Sequence, residues 1–167
     1  MSKTLTFVTG YFGAPIEERA RRIADANGLA FLSLDREIER RDGRKINRLC
    51  MMNGEHGYRN QEYEILNEIN EDPDGFCAAN GLDTATEGMV IACGDGVLYD
   101  DMSCEIVMAG ELVIAGADMT RDALWESAKA DTGTYHAFMF FGSEEEKRAA
   151  FEDYLDRQTA LFAKAQE

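Results

Sequence analysis

The stretch TLTFVTGYFGAPIEE, residues 4–18, indicates how the chain folds. Residues 4–9 form a short apolar run rich in β-forming residues, and this run ends at Gly10. Pro15 then suits the first position of a helix, where its missing N–H is harmless. A strand, a glycine-containing turn and a helix in this order are typical of an α/β protein with a parallel sheet.

The same alternation continues along the chain. Apolar runs at residues 29–34, 89–93 and 111–117 predict three further strands. Polar, glycine-containing residues 71–87 predict a loop or a loosely helical insertion. Helices are predicted at residues 15–27, 35–41, 44–52, 58–69 and 120–128, and after a capping box of Ser143 and Glu146. Strands joined through helices imply right-handed crossovers, so we expect one three-layer α/β/α domain over residues 1–167.

Composition bounds the class of protein. The 167 residues are 45% hydrophobic with two prolines, as in a globular protein. No apolar run approaches the ~20 residues of a membrane span, and residues 1–3 lead into the first strand without a signal peptide. Four cysteines without a CxxC pair are typical of reduced thiols. These features predict a cytoplasmic protein.

The net charge of −15 is unevenly distributed. Residues 1–48 carry ten Lys and Arg against seven Asp and Glu, whereas residues 49–167 carry seven against 25. Such a negative field disfavours nucleic acid and anionic membranes as partners. It also opposes an anionic ligand unless local arginines compensate, and most of the acidic side chains are expected on the solvated surface.

The turn after the first strand is compared with a phosphate-binding loop, G-x-x-x-x-G-K-[ST]. Gly10 and Gly13 are present, but Pro15, Ile16 and Glu17 stand where the loop has its last glycine, its lysine and its hydroxyl. The loss of two or three charge-assisted hydrogen bonds, about 1.5–3 kcal/mol each, predicts phosphate binding weaker by on the order of a thousandfold or more. Alone, the turn also fits an ordinary strand–turn–helix junction.

Later stretches resemble a known family. LDREIERRDGRKI at residues 34–46 and GEHGYRNQE at 54–62 resemble D-x-D-x-x-I-E-x-x-x-G-x-x-I and G-E-x-x-F-R-x-x-E of the shikimate kinase family, at that family's spacing. CGDGV at 93–97 resembles its Gly-Gly-Gly turn, and DRQTALF at 156–162 is similar to its R-x-P-L-Y segment. The resemblance covers nearly the whole chain and places residues 10–17 on the family's phosphate-binding loop.

The resemblance implies a P-loop kinase fold and the ATP- and Mg-dependent phosphorylation of shikimate. It implies the strand order 2-3-1-4, and the family's fifth strand is expected to be absent because the sequence stops at Glu167. Residues 35–70 correspond to the acceptor-binding helical segment and residues 129–145 to a lid-like segment. His136 stands roughly where the family has a lid arginine that contacts ATP.

Individual roles follow from the same resemblance. Asp35 matches the aspartate that binds shikimate hydroxyls and serves as candidate catalytic base. Arg59 and Arg157 match the arginines that hold the shikimate carboxylate, a bidentate task that suits guanidinium groups. Gly94 and Gly96 match the outer glycines of the turn that faces the acceptor.

Other positions depart from the family. Ser33 replaces the first aspartate of D-x-D, which helps to organise magnesium. Asp95 replaces the middle glycine of the turn, so it is a further candidate substrate contact that brings a negative charge. Gly10 and Gly13 remain as candidate nucleotide contacts. ATP and Mg are therefore expected only if the family activity survives, and without Cys or His partners at metal spacing for either histidine no metal site is predicted.

Simpler roles are also open for these residues. Asp35 can be a helix N-cap, and Arg59 and Arg157 can pair with acidic residues on their own helices. Asp95, between two glycines, can be a turn residue. Core-filling residues are predicted at Met51, Met52 and Trp125.

Three functions are compatible with the sequence. The first is a non-catalytic relative, a pseudokinase that binds a small anionic or polyhydroxylated ligand, or a protein partner, through the retained acceptor pocket. The second is an active small-molecule kinase whose phosphates are held by substitute groups from the basic segment 19–48. The third is an interaction module that assembles through an edge strand or its acidic surface. The oligomeric state is left open.

Overall fold

The computed structural model describes residues 3–167 and contains a parallel sheet with helices on both faces. Within this range the strands are β1 (Thr4–Gly10), β2 (Ala30–Ser33), β3 (Gly88–Ala92) and β4 (Glu111–Ala115). They lie in the order β2-β3-β1-β4, and all neighbouring pairs are parallel. The α/β class and the strand order predicted from the sequence are confirmed. Met1 and Ser2, on which the expectation about a signal peptide partly rests, lie outside the described residues.

The helices agree with the sequence pattern in most places. They are α1 (Ile16–Asn27), α2 (Leu34–Asp42), α3 (Ile46–Glu71), α4 (Pro73–Ala79), α5 (Asp101–Ala109), α6 (Arg121–Ala130) and α7 (Glu144–Ala165). Short 3-10 turns lie at Val97–Tyr99 and Ala137–Met139. In residues 3–167, no helix combines the length and the apolar character that crossing a membrane requires.

Helix boundaries follow local chemistry. Gly28, at φ 63°, ends α1, and Ser143 and Glu146 form the predicted capping box of α7. The two helices predicted at 44–52 and 58–69 are both present within α3, where a kink at Gly54, with non-helical φ 78° and ψ 165°, separates them. Part of the insertion predicted at 71–87 forms the helix α4, Pro73–Ala79. Asp72 caps the start of this helix by accepting a hydrogen bond from the Gly75 N–H at 3.0 Å.

Three expectations are wrong. Ser33 caps α2 by accepting a hydrogen bond from the Arg36 N–H at 3.2 Å, so Asp35 lies in the first turn and is not the N-cap. Pro15 is the N-cap of α1 and not its first residue. The expectation that Met51 and Met52 fill the core fails, because they are 64% and 68% exposed.

The core explains why these methionines face solvent. On α3 the inward positions are Ile46, Leu49 and Cys50, so helical periodicity turns the two following residues outward. Trp125 is buried beside Phe151, as predicted. The central strands β1 and β3 are largely buried on both sheet faces, and the carboxyl ends of the strands meet at one edge, where ligands of open α/β sheets bind.

Candidate functional site

Several backbone N–H groups of the loop between β1 and α1 are hydrogen-bonded within the protein. The Tyr11 N–H donates to the Ala115 carbonyl at 3.2 Å, the Ala14 N–H to the Tyr11 carbonyl at 2.9 Å, and the Ile16 N–H to the Ala14 carbonyl at 2.9 Å. Pro15 has no N–H to offer. These groups are therefore not free to surround a phosphate, as the amides of a phosphate-binding loop are.

Gln158 on α7 completes this arrangement. Its fully buried carboxamide accepts a hydrogen bond from the Phe12 N–H at 3.0 Å and donates to the carbonyls of Gly10 at 3.3 Å and Asp95 at 3.0 Å. A side chain thus satisfies a loop amide and joins the turn after β1 to the turn after β3. Sequence reasoning missed this residue and singled out its neighbour Arg157. The available signal is a polar residue at helical spacing between the buried Leu155 and Phe162.

The two glycines retained in the loop are explained by packing. Gly13 has φ 98°, and a Cβ there would lie 2.3 Å from the Leu124 carbonyl oxygen on α6. A Cβ on Gly10 would lie 2.5 Å from the Ala115 carbonyl oxygen on β4. Both positions therefore require glycine whether or not a nucleotide binds.

A cavity of about 220 Å³ lies between this loop, the start of α1 and the ends of β2 and β3. Among residues 3–167, its acidic and basic lining groups are five carboxyl groups and one guanidinium, that of Arg36. The carboxylates belong to Glu17, Glu18, Asp35, Asp95 and Asp131. A polyphosphate that entered this cavity would be repelled by the excess of negative charge, and this repulsion is strong in a partly desolvated site.

The other arginines of segment 19–48 do not neutralise the carboxyl groups of this cavity. Arg19 and Arg22 are exposed, and the Arg21 guanidinium packs over the Phe31 ring at 4.3 Å. None of the three lines the cavity. Of the basic residues in segment 19–48, only Arg36 does.

Asp35 faces the same cavity from the first turn of α2. Its Oδ1 accepts a hydrogen bond from the Tyr58 hydroxyl at 2.5 Å. Burial raises the pKa of Asp35 to about 7, although the hydrogen bond from Tyr58 acts in the opposite direction. A carboxyl group with a pKa near neutrality is suited to proton transfer.

Arg59 is held inside the fold by a carboxylate. Its Nη1 donates to Glu62 Oε1 at 2.6 Å, and the other oxygen of this fully buried Glu62 accepts the Gly94 N–H at 2.8 Å. A Cβ on Gly96 would lie 2.3 Å from Arg59 Nη2, so the turn after β3 needs glycine for α3 to approach. The ion pair with Glu62 foreseen from the sequence is therefore present, while Nη2 stays directed toward Asp95 at 4.0 Å from its Oδ1.

Asp95 and His136 form a buried pair at the centre of the site. Asp95 Oδ2 lies 2.8 Å from His136 Nε2, and the imidazole packs against the rings of Phe12 and Tyr154 at centroid distances of 4.1 and 4.7 Å. Burial alone would raise the pKa of Asp95, but the charges of His136 and Arg59 and the His136 hydrogen bond lower it. Through this pair, residues 129–145 contact the turn after β3.

A second cavity, of about 590 Å³, lies on the other side of this pair. Arg59 from α3 and Arg157 from α7 both line it, together with the rings of Tyr99, Phe138 and Tyr154. Arg157 is 65% exposed and lies 3.2 Å from Asp153 on its own helix. The two guanidinium groups thus share one concave surface, and Arg157 also makes the local ion pair that the sequence allowed.

The residues singled out from the sequence are divided between the two cavities. Asp35, Gly94, Asp95 and Gly13 line the first, and Arg59 and Arg157 line the second. Gly10 and Gly96 lie behind them and line neither cavity. The roles assigned to these residues in binding and catalysis stay predictions.

Comparison with known proteins identifies similar sequences and folds. The family model described as shikimate kinase matches residues 19–148. The shikimate kinase of Chloroherpeton thalassium is 28% identical over 162 residues, which cover 96% of this chain and 76% of that protein. The shikimate kinase of Chlorobaculum tepidum is 32% identical over 104 residues, 62% of this chain and 47% of that protein, so the match spans about half its length.

Solved structures show the same fold. Shikimate kinase from Acinetobacter baumannii in complex with shikimate superposes with a TM-score of 0.75 at 21% identity, covering 98% of this chain and 80% of that one. The enzyme from Aquifex aeolicus gives a TM-score of 0.65 at 17% identity, covering 94% and 83%. At these identities the similarity concerns the fold.

Proposed function

Because the chain belongs to the shikimate kinase family, we propose that it is a pseudokinase that binds a small carboxylate ligand between Arg59 and Arg157 and does not transfer a phosphoryl group. The observation that carries the proposal is the loop after β1, in which four amides are bonded within the protein and whose cavity is lined by five carboxyl groups. Phosphoryl transfer depends on positioning and on cationic stabilisation of the transferred group. This loop supplies no lysine, and the amides of Tyr11, Phe12 and Ala14 are already bonded.

The second cavity supports the binding part of the proposal. Two guanidinium groups line one concave surface, and a guanidinium pairs with a carboxylate through two parallel hydrogen bonds. Arg59 is already oriented by Glu62, so it is preorganised and little conformational entropy is lost on binding. Arg157 is exposed and can turn from Asp153 toward a ligand, since a surface ion pair contributes only about 0–1 kcal/mol.

A second candidate function rests on Asp35. Its pKa of about 7 and its position on the cavity beside the loop are what a general base for a substrate hydroxyl requires. In this alternative, the chain is an active small-molecule kinase with a non-standard phosphate site, in which Arg36 supplies the positive charge. Five carboxylates around a single guanidinium favour the first function.

Calorimetry and thermal unfolding distinguish the two functions. We expect no measurable binding of Mg-ATP at low millimolar concentration, whereas a nucleotide at about 100 times its Kd would add about 2.7 kcal/mol of stability. Micromolar affinity for Mg-ATP, or ATP hydrolysis stimulated by shikimate, would establish the kinase alternative.

Ligand binding is tested with a panel of small carboxylates. Arg157→Gln should abolish the thermal shift that a bound carboxylate produces, because it removes one of the two guanidinium groups. Arg22→Gln is the matched control, since Arg22 is also exposed and also pairs with an acidic residue one helical turn away. Equal shifts in the two variants would place the carboxylate site elsewhere.

A further inference from the structure

The walls of the second cavity are aromatic. The Tyr154 ring lies 6.1 Å from that of Tyr99 and 5.7 Å from that of Phe138, and His136 adds its imidazole edge-on at 4.7 Å from Tyr154. These spacings are typical of aromatic clusters that pack further rings. Tyr99 is 47% exposed, so part of this apolar surface is open to a ligand.

One group expected to bind a polyhydroxylated ring lies elsewhere. Asp35, the residue matched to hydroxyl binding, lines the first cavity, and the hydrogen-bonded pair of Asp95 and His136 stands between it and the second. The second cavity therefore offers a carboxylate-binding pair beside aromatic surface. This combination fits a carboxylate attached to an aromatic ring better than one attached to a polyol.

Charges of both signs line this cavity. The guanidinium groups of Arg59 and Arg157 are accompanied by the carboxylates of Glu55 and Asp100. Within residues 3–167, no Lys, Arg or His nitrogen pairs with the exposed Glu55. Asp100 uses one oxygen to accept the Ser103 N–H at 2.9 Å, which leaves the other oxygen free of that bond. The cavity can thus hold a carboxylate and an ammonium group together.

The charge of the whole molecule favours such a ligand. At a net charge of −15 the protein repels free anions at long range, whereas a zwitterion has no net charge and is not repelled. We infer that the second cavity binds a free α-amino acid with an aromatic side chain, its carboxylate on Arg59 and Arg157, its ammonium group facing Glu55 and Asp100, and its ring against Tyr99 and Tyr154. This inference rests on the proposed function, in which the same cavity binds a small carboxylate.

Calorimetry on the full chain with five probes tests the inference. The probes are L-phenylalanine, 3-phenylpropionate without the ammonium group, 2-phenylethylamine without the carboxylate, L-alanine without the ring, and shikimate. L-phenylalanine should bind at least about tenfold more tightly than each of the others, because each lacks at least one of the three contacts. The 590 Å³ volume lies in the usual range of small-molecule pockets, so all five can enter.

Two substitutions locate the contacts. Glu55→Gln should weaken the binding of L-phenylalanine by about tenfold and leave the affinity for 3-phenylpropionate unchanged, because only L-phenylalanine carries an ammonium group that Glu55 can contact. The matched control is Glu64→Gln, an exposed glutamate on the same helix that does not line the cavity. Tyr99→Leu should weaken the binding of all three aromatic probes, and because Tyr99 is partly exposed the substitution should leave the fold intact.

The outcomes separate this inference from the proposed function. If 3-phenylpropionate binds as tightly as L-phenylalanine, the ammonium contact is refuted and the carboxylate site stands. If shikimate alone binds, the aromatic ligand is refuted and the proposed function stands. If none of the five probes binds, both are overturned.

Discussion

Leucine at position 158 would occupy about the same space as the native glutamine but could neither donate nor accept a hydrogen bond. Three backbone groups lose their partner in Gln158→Leu, namely the Phe12 N–H and the carbonyls of Gly10 and Asp95. Each buried group left unpaired costs about 1–3 kcal/mol, and leucine recovers part of this by burying apolar surface. We therefore expect the free energy of unfolding to fall by about 2–5 kcal/mol.

Urea denaturation monitored by tryptophan fluorescence measures this change. The sole tryptophan, Trp125, is buried and reports on α7, because it packs against Phe151, which lies on the same helix as Gln158. Gln166→Leu serves as the control, since Gln166 is exposed at the end of α7 and should change stability by less than about 0.5 kcal/mol. A loss for Gln158→Leu no larger than that of the control would refute the three-way connection described above.

Two further predictions concern the buried acids. The pKa of Asp35 is raised from an ordinary 3.8 to about 7, so the folded protein keeps this carboxyl protonated at pH values where the unfolded chain has lost the proton. The free energy of unfolding should therefore fall as pH rises from about 4 to about 7. Asp35→Asn should remove about 2–4 kcal/mol of that loss. Equal pH profiles for parent and variant, measured by urea denaturation, would contradict this. Asp95→Gly removes the carboxylate 4.0 Å from Arg59 and opens the first cavity to the second, so shikimate affinity should rise by about tenfold or more. Calorimetry in which the variant binds no more tightly than the parent would contradict the assigned role of Asp95.

The fold was accessible from the sequence because its strands are short, continuous apolar runs between helical patterns. α5 was not predicted, because its apolar residues 106–109 run almost directly into those of β4 with only Gly110 and Glu111 to separate them. Strand order came from the family resemblance and not from periodicity, which carries no information about which strands are neighbours.

The candidate site was accessible only in part. Motif spacing identified Asp35, Arg59 and Arg157, but not that the two arginines line a different cavity from the aspartate. That division depends on the contact between Asp95 and His136, 41 residues apart, and local sequence patterns do not encode such distant pairings. The role of Gln158 could not be predicted for the same reason, because its partners at positions 10 and 12 lie about 150 residues earlier in the chain.

The hydrogen bonds of Gln158 also affect the order in which parts of the chain fold. During synthesis the loop that follows β1 emerges first, and the Phe12 amide and the Gly10 carbonyl lack their Gln158 partner until α7 has been made and has docked. Contacts of such long sequence separation form late, because the entropy of closing the loop must be overcome first. The Phe12 amide, joined to a residue 146 positions further along the chain, thus becomes protected from hydrogen exchange only when the last helix is in place.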